Sequence, residues 1–485
     1  MKISISYPPL ESDKGVPLLT QNRQFQWFSS PTYIYPMVPA YAASYLKSLG
    51  YEVLWDDGIA EELTFAQWME RLVREKPDLI AIESKTPVIK RHWRIVDDLK
   101  SRLPAARVVL MGDHVTALPE ETMNACAVDY VLAGGDYDLG LAELVRFVED
   151  GKNAPASVWY RDDQGKPCKG IENQPRPFLD DMPFIDRELT KWCLYSEKNG
   201  NFKYLPGTYT MAGRDCWWGR CSFCSWTTLF PGQSFKSVSP QRLLDEVGML
   251  IEKYAVREIF DDTGCFPKGE WLREFCRGMM DRGYHKKVVM GCNMRVNALA
   301  QEEWRLMGKA NFRFVLIGLE SMTQSTLDRL NKGIKVEQIE QTMRMAKKAG
   351  LEPHITTMVG YPWETKREAE KTISFAKQMF INGYIDSLQA TIVVPYPGTP
   401  MFDEARKNGW LLTEDWDRYD MRESVWKSEV GTDEVKCFTQ ELYKAAMHPR
   451  FVLRKLGRIR SLDDMKFLAR AGLKVLGHLR DFSRT

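Results

Sequence analysis

No apolar run in the 485-residue chain approaches the roughly 20 residues needed to span a bilayer. Low-complexity segments and short internal repeats are also missing, which removes solenoid and linker-rich architectures from consideration. The net charge of +2 makes no global case for nucleic acid as a partner. No Gly-x-Gly-x-x-Gly follows the first expected strand, so a nicotinamide or flavin dinucleotide is not expected. The N-terminus does not read as a signal peptide, which points away from an oxidising compartment and toward the cytoplasm. Seven of the ten cysteines (Cys126, Cys168, Cys193, Cys265, Cys276, Cys292 and Cys437) are scattered singly, unlike a disulfide framework. What is present is a 44% hydrophobic, 27% charged composition of globular type, long enough for two or three domains.

The other three cysteines fall within nine residues, as Arg214-Asp215-Cys216-Trp217-Trp218-Gly219-Arg220-Cys221-Ser222-Phe223-Cys224. Three thiolates can hold three irons of a four-iron cluster, leaving the fourth free for another ligand. Zinc is a weaker reading, because only Cys221 and Cys224 form a Cys-x2-Cys pair and Cys265 has no such partner. Ordinary buried cysteines are the remaining alternative.

The first 150 residues alternate short apolar runs (3–7, 51–55, 78–82, 107–111, 128–133) with helical patterns (39–49, 64–75, 88–101, 119–125, 139–149). Such alternation predicts a doubly wound parallel sheet, with ligands at the carboxyl ends of its strands. Those ends carry Tyr7-Pro8-Pro9, Glu83-Ser84-Lys85-Thr86-Pro87, Gly112-Asp113-His114 and Gly134-Gly135-Asp136. Glycines there admit close approach of a large ligand; ordinary turns in a docking domain are an equal reading.

After an expected linker over 151–203, the alternation restarts. Strands are predicted at 209–212, 258–261, 288–292, 314–318, 352–359 and 387–394, with helical segments between them. This is enough for a partial parallel (β/α)6 barrel over 204–403, with the cysteine run directly after its first strand, on the face where such barrels place chemistry. Its other strand ends carry Asp261-Asp262-Thr263, Asn293-Met294-Arg295, Gly318-Leu319-Glu320-Ser321 and Gly360-Tyr361-Pro362. Carboxylates suit a ribose or an ammonium group, and an arginine suits a carboxylate. Each residue alone reads as a surface ion pair, but the repetition at successive strand ends is a signal.

Together these residues resemble the cobalamin-binding branch of the radical SAM superfamily, over nearly the whole chain. Further matching stretches are Gly50-Tyr51-Glu52-Val53, the Gly112 to Glu120 run, Gly318 to Ser321 and Val394 to Pro400. In that superfamily the free iron binds S-adenosylmethionine (SAM), and reduction releases a 5′-deoxyadenosyl radical that takes hydrogen from the substrate. The resemblance implies a 4Fe–4S cluster on Cys216, Cys221 and Cys224, and Phe223 near the adenine. It places Asp261, Asp262 and Thr263 at the SAM amino group, and Arg295 and Glu320 at SAM or substrate. It implies cobalamin in a cradle of Ser84, Thr86, Gly112, His114, Gly134 and Gly135, without the Asp-x-His-x-x-Gly motif that gives cobalt a histidine. The commonest family spacing is Cys-x3-Cys-x2-Cys; here the first gap is four, and Trp217-Trp218 fills it. That pair either shields the site or packs into the core.

The function implied is methylation of an unactivated carbon in a small-molecule or lipid substrate, with an external electron donor of flavodoxin or ferredoxin type. Oxidative cyclisation or rearrangement without methyl transfer is the alternative. A metal-stabilised binding or electron-transfer protein is a third reading. A helical region is expected over 404–485. From His448 onward it holds ten Lys/Arg against three Asp, interspersed with apolar residues. Such a helix can lie on an anionic membrane; packing on the barrel is the preferred reading.

Overall fold

The computed structural model describes residues 1–485 except 20–24, 29–30, 174–175, 200–201, 446–447 and 482–485. The first sheet has seven strands: β1 Lys2–Tyr7, β2 Glu52–Asp57, β3 Leu79–Ser84, β4 Arg107–Gly112, β5 Tyr130–Leu132, β6 Val158–Arg161 and β7 Pro167–Lys169. Their order is β2-β1-β3-β4-β5-β6-β7. The pairs are parallel through β5, then antiparallel. Strands such as Leu79–Ser84 are buried along their whole length, as a sheet covered by helices on both faces requires. Chain order reverses at β1, so the topological switch point lies between the carboxyl ends of β1 and β3. The stretch 151–203, expected as a linker, thus supplies the last two strands at one side of the sheet. Their half-exposed four- and three-residue segments lack the long apolar run that marks a buried strand.

The second sheet is fully parallel: β8 Gly207–Thr210, β9 Glu258–Asp261, β10 Val289–Met294, β11 Phe312–Glu320, β12 Glu352–Val359 and β13 Ser387–Ile392, in that order. It is an open, six-stranded partial barrel. Its helices start where side chains satisfy their free N–H groups: Ser239 caps Pro240–Tyr254, and a Thr365–Glu368 capping box opens Lys366–Asn382.

Buried charges join the two sheets. Arg187, fully buried, donates to the Thr208 hydroxyl (2.6 Å), the Tyr209 carbonyl (2.7 Å) and Glu246 (3.2 Å). Arg214 pairs with Asp138 of the first domain at 2.6 Å and lies over the Tyr41 ring. Beyond the barrel the chain turns back. Lys14–Asp420 (2.5 Å) and Lys90–Asp415 (2.7 Å) tie it to the first domain, and Trp416 packs against His114.

The last helices rest on the opposite, amino-terminal end of the barrel. Arg454 donates to the Phe380 and Ile381 carbonyls, Lys455 and Arg458 pair with Asp386, and Phe451 stacks on Phe380. Three of the tail's ten basic residues, Arg454, Lys455 and Arg458, therefore face the barrel. Arg484 lies outside the described residues. Among the described residues no helix is long and apolar enough to cross a membrane.

Candidate active site

The cysteine run forms the loop between Gly213–Arg214 and the short helix Trp226–Leu229. Cys216, Cys221 and Cys224 are each partly buried, and no disulfide engages them. The adjacent Cys265 thiol lowers Cys216 to about 6, against the effect of burial, with help from the Gly219 and Trp218 N–H groups. Burial pushes Cys221 up, tempered by Lys332 and then Arg295, and pushes Cys224 up more strongly. Among the described residues no three His, Cys, Asp or Glu side chains converge on one metal ion. A cubane takes one thiolate per iron, so its ligands stand farther apart than those of a single ion. Three neighbouring thiols in a loop that also feels two buried cations fit a negatively charged cluster.

Beneath the loop, Asp261 is a staple. Its carboxylate accepts from the Ala212 N–H (2.8 Å), the Thr210 hydroxyl (2.9 Å) and the Thr263 hydroxyl (2.6 Å). Thr263 in turn accepts from the Gly213 N–H, so this pair orients the start of the cluster loop. Burial outweighs these bonds and raises Asp261 to about 6. Asp262 is buried beside them, its N–H on the Thr210 carbonyl. Glu320 sits on a β-bulge with φ 67° and accepts from the Lys332 ammonium at 2.7 Å. Lys332 itself lies over the Phe223 ring. Arg295 reaches Cys221 Sγ at 4.0 Å and donates to the Lys332 carbonyl. Lys332, twelve residues past Glu320 in a loop, was not singled out by sequence; the buried Glu320 was the signal that a cation must face it.

The candidate cobalamin residues divide. Ser84 and Thr86 are buried, with their hydroxyls on His92 Nδ1 (2.6 Å) and His114 Nδ1 (3.2 Å). His114 is closed in by Glu121, Trp93 and Trp416. Gly112 has φ 130°, and a Cβ there would stand 2.0 Å from the Ser84 carbonyl oxygen. Gly134 also takes positive φ, at 96°, with its N–H on the Thr116 hydroxyl. Gly135 takes the Phe230 ring on its face and donates to the Leu229 carbonyl, which seats the segment after the cluster loop.

The intervening side chains, Lys85 and Asp113, point the other way. With Phe25, Pro87, Tyr396 and Met421 they line a cleft of ≈ 170 Å³ whose far wall is Phe223, Cys224, Ser225 and Trp226. The carboxyl ends of both sheets thus open on one space. Neither histidine of the first domain lines it. A cobalamin held there would take apolar walls and one Lys–Asp pair from the protein, and no imidazole, in keeping with the missing Asp-x-His-x-x-Gly motif.

A parallel partial barrel with three thiols in the loop after its first strand defines a radical SAM domain, and the model of the radical SAM superfamily matches residues 212–376. The B12 binding domain model matches residues 28–139. The chain thus carries a B12 binding domain followed by a radical SAM domain, and it is an enzyme using a 4Fe–4S cluster, SAM and cobalamin. It is 29% identical over 407 residues to an uncharacterized methyltransferase of Pyrococcus horikoshii, covering 82% of this chain and 84% of that protein. It is 26% identical over 384 residues to the anaerobic magnesium-protoporphyrin IX monomethyl ester cyclase of Rubrivivax gelatinosus, covering 76% and 66%. Among solved structures, the radical S-adenosylmethionine methyltransferase TsrM of Kitasatospora setae, with cobalamin and a 4Fe–4S cluster bound, superposes with TM-score 0.68 at 13% identity, over 98% of this chain and 99% of that one.

Proposed function

We propose that this chain is a cobalamin-dependent radical SAM methyltransferase acting on an unactivated carbon of a small-molecule substrate. The observation that carries the reading is the shared cleft: Cys224 and Phe223 on one wall, Lys85, Pro87 and Asp113 on the other. When bound, the cluster with SAM supplies a hydrogen-abstracting radical and cobalamin supplies a methyl group. The protein's part is to hold and to enclose. Cys216, Cys221 and Cys224 would hold the cluster, and Asp261 and Thr263 orient their loop. Glu320, turned inward by its bulge and charge-balanced by Lys332, would meet the SAM amino group, and Phe223 the adenine. Val393, Val394 and Met358 keep the cleft apolar, which excludes water from a radical.

The test is anaerobic reconstitution with iron and sulfide, then SAM, hydroxocobalamin and a reductant. 5′-Deoxyadenosine should form, and S-adenosylhomocysteine should match methylated product mole for mole. A loaded cluster that yields no 5′-deoxyadenosine would sink the enzyme reading, and a chain that takes up no cobalamin would sink the methyl transfer. The likeness to a cyclase supports a second reading, oxidative cyclisation, in which 5′-deoxyadenosine forms without S-adenosylhomocysteine. A flavodoxin or ferredoxin of the cytoplasm is the reductant this chemistry calls for. Leu453, Leu456, Leu462 and Met465 are exposed on the last two helices and would give a peripheral membrane contact. Co-sedimentation with anionic vesicles, lost on Leu453→Glu, tests it.

A further inference from the structure

The fourth residue in the first gap of the cysteine run has a structural consequence. Trp217 and Trp218 do not disappear into the core. The Trp218 indole N–H donates to the Asn331 carbonyl at 2.8 Å, and its ring lies over Gly333, where a Cβ would meet it at 2.2 Å. The Trp217 indole N–H donates to the Phe266 carbonyl at 3.1 Å. The Arg295 guanidinium lies against both rings, with its Cζ 4.2 Å from the Trp218 centroid and 5.6 Å from that of Trp217, whose ring also carries the Lys268 ammonium at 4.1 Å. All three are within range of attraction between a cation and an aromatic face.

Arg295 is 7% exposed, and among the described residues it has no carboxylate partner. Its contacts are two indoles, the Lys332 carbonyl and Cys221 Sγ. A buried cation that lacks a counter-charge is costly, so its place calls for a negative group. The nearby Glu320 is already matched by Lys332. The negative group that Arg295 faces is the Cys221 thiolate and the cluster it would carry.

We infer that Arg295, clamped by Trp217 and Trp218, is the electrostatic partner of the Cys221 corner of the cluster and holds its reduction potential up. A fixed positive charge and an N–H donor at a cluster sulfur both favour the state with one more electron. Arg295 is thus a positioning residue for the cluster rather than a contact of SAM. The longer gap serves to bring the second indole, Trp218, over it. The inference rests on the cluster reading above.

The experiment is an EPR-monitored potentiometric titration of the reconstituted protein without SAM, with dithionite as the one-electron reductant. Arg295→Gln and Trp218→Leu are compared with wild type at equal iron and sulfide content. Both midpoints should move to more negative potential, Arg295→Gln further, with Arg295→Lys in between; SAM binding by equilibrium dialysis should stay within about twofold of wild type. Unchanged midpoints in the two variants overturn the proposal, and so does a loss of SAM affinity without a midpoint change. If Arg295→Gln assembles no cluster, Trp218→Leu, which keeps every ligand and the cation, decides alone. Wild type that assembles no cluster would instead overturn the reading on which the proposal stands.

Discussion

At the end of the barrel, Arg214, Arg295 and Lys332 lie buried around the cysteine loop. At the end of the first sheet, the Ser84 and Thr86 hydroxyls are taken up by His92 and His114, and burial pushes His92 down to about 3, so it is uncharged. Lys85 and Asp113 face each other there at 3.8 Å, and the buried Glu83 carboxylate accepts from the Tyr7 hydroxyl. At the barrel end Arg214 is matched by Asp138 and Lys332 by Glu320, while Arg295 faces Cys221 with no carboxylate partner among the described residues; the other end offers shape more than charge. The difference matches what each must hold: a small, negatively charged cluster against a bulky cofactor held mostly by contact.

The strongest way to break the comparison is to remove a thiolate. Cys221→Ala should abolish cluster assembly and 5′-deoxyadenosine formation while leaving cobalamin uptake in place; iron retained at the wild-type level would contradict the ligand assignment. Next comes the joint between the two ends. Arg214→Met leaves Asp138 buried without its cation, at a cost of about 3–5 kcal/mol read as a lower urea midpoint. A midpoint equal to wild type would mean the joint bears no strain.

Smaller is the effect of Gly135→Ala, whose Cβ would stand 2.3 Å from the Phe230 ring. Overpacking of this kind costs about 1–3 kcal/mol. Phe230→Leu should recover part of it, and a double variant no better than the single would refute the contact.

The smallest effect is a pH slope in the first domain. Burial raises Asp57 to about 6 in spite of hydrogen bonds from Tyr195 and the Ala60 N–H. Because the folded pKa exceeds the unfolded one, the native state takes up a proton first as pH falls. This contribution therefore rises as pH drops from about 6 to about 4 and is absent from Asp57→Asn. Its slope is at most about 1.4 kcal/mol per pH unit. Parallel pH profiles for the two proteins would show that Asp57 is ionised throughout.

Both sheets were legible because a parallel strand buried on two faces must be apolar throughout, as Leu79–Ser84 and Val289–Met294 nearly are. That the three thiols share one loop was legible because it depends only on spacing along the chain. The cleft lining was less so. Ser84 and Lys85 are neighbours, yet successive side chains at a strand end point to opposite sides, and only tertiary packing decides which faces the ligand. Lys332 was hidden for a different reason: its partner lies twelve residues back, across a bulge that no local pattern marks. The two strands of 151–203 escaped because half-exposed antiparallel segments of three or four residues carry little periodicity.

The cleft draws its walls from separate stretches of chain. The reactive side comes from the cluster loop and the ends of β3 and β4, while Val393, Val394, Tyr396 and Met421 come from the end of β13 and the segment after it. Those later residues stand far along the chain from the three thiols and from the Asp261 staple. Descendants of such a chain are free to vary the late wall, and with it the molecule admitted, while inheriting the radical machinery unaltered.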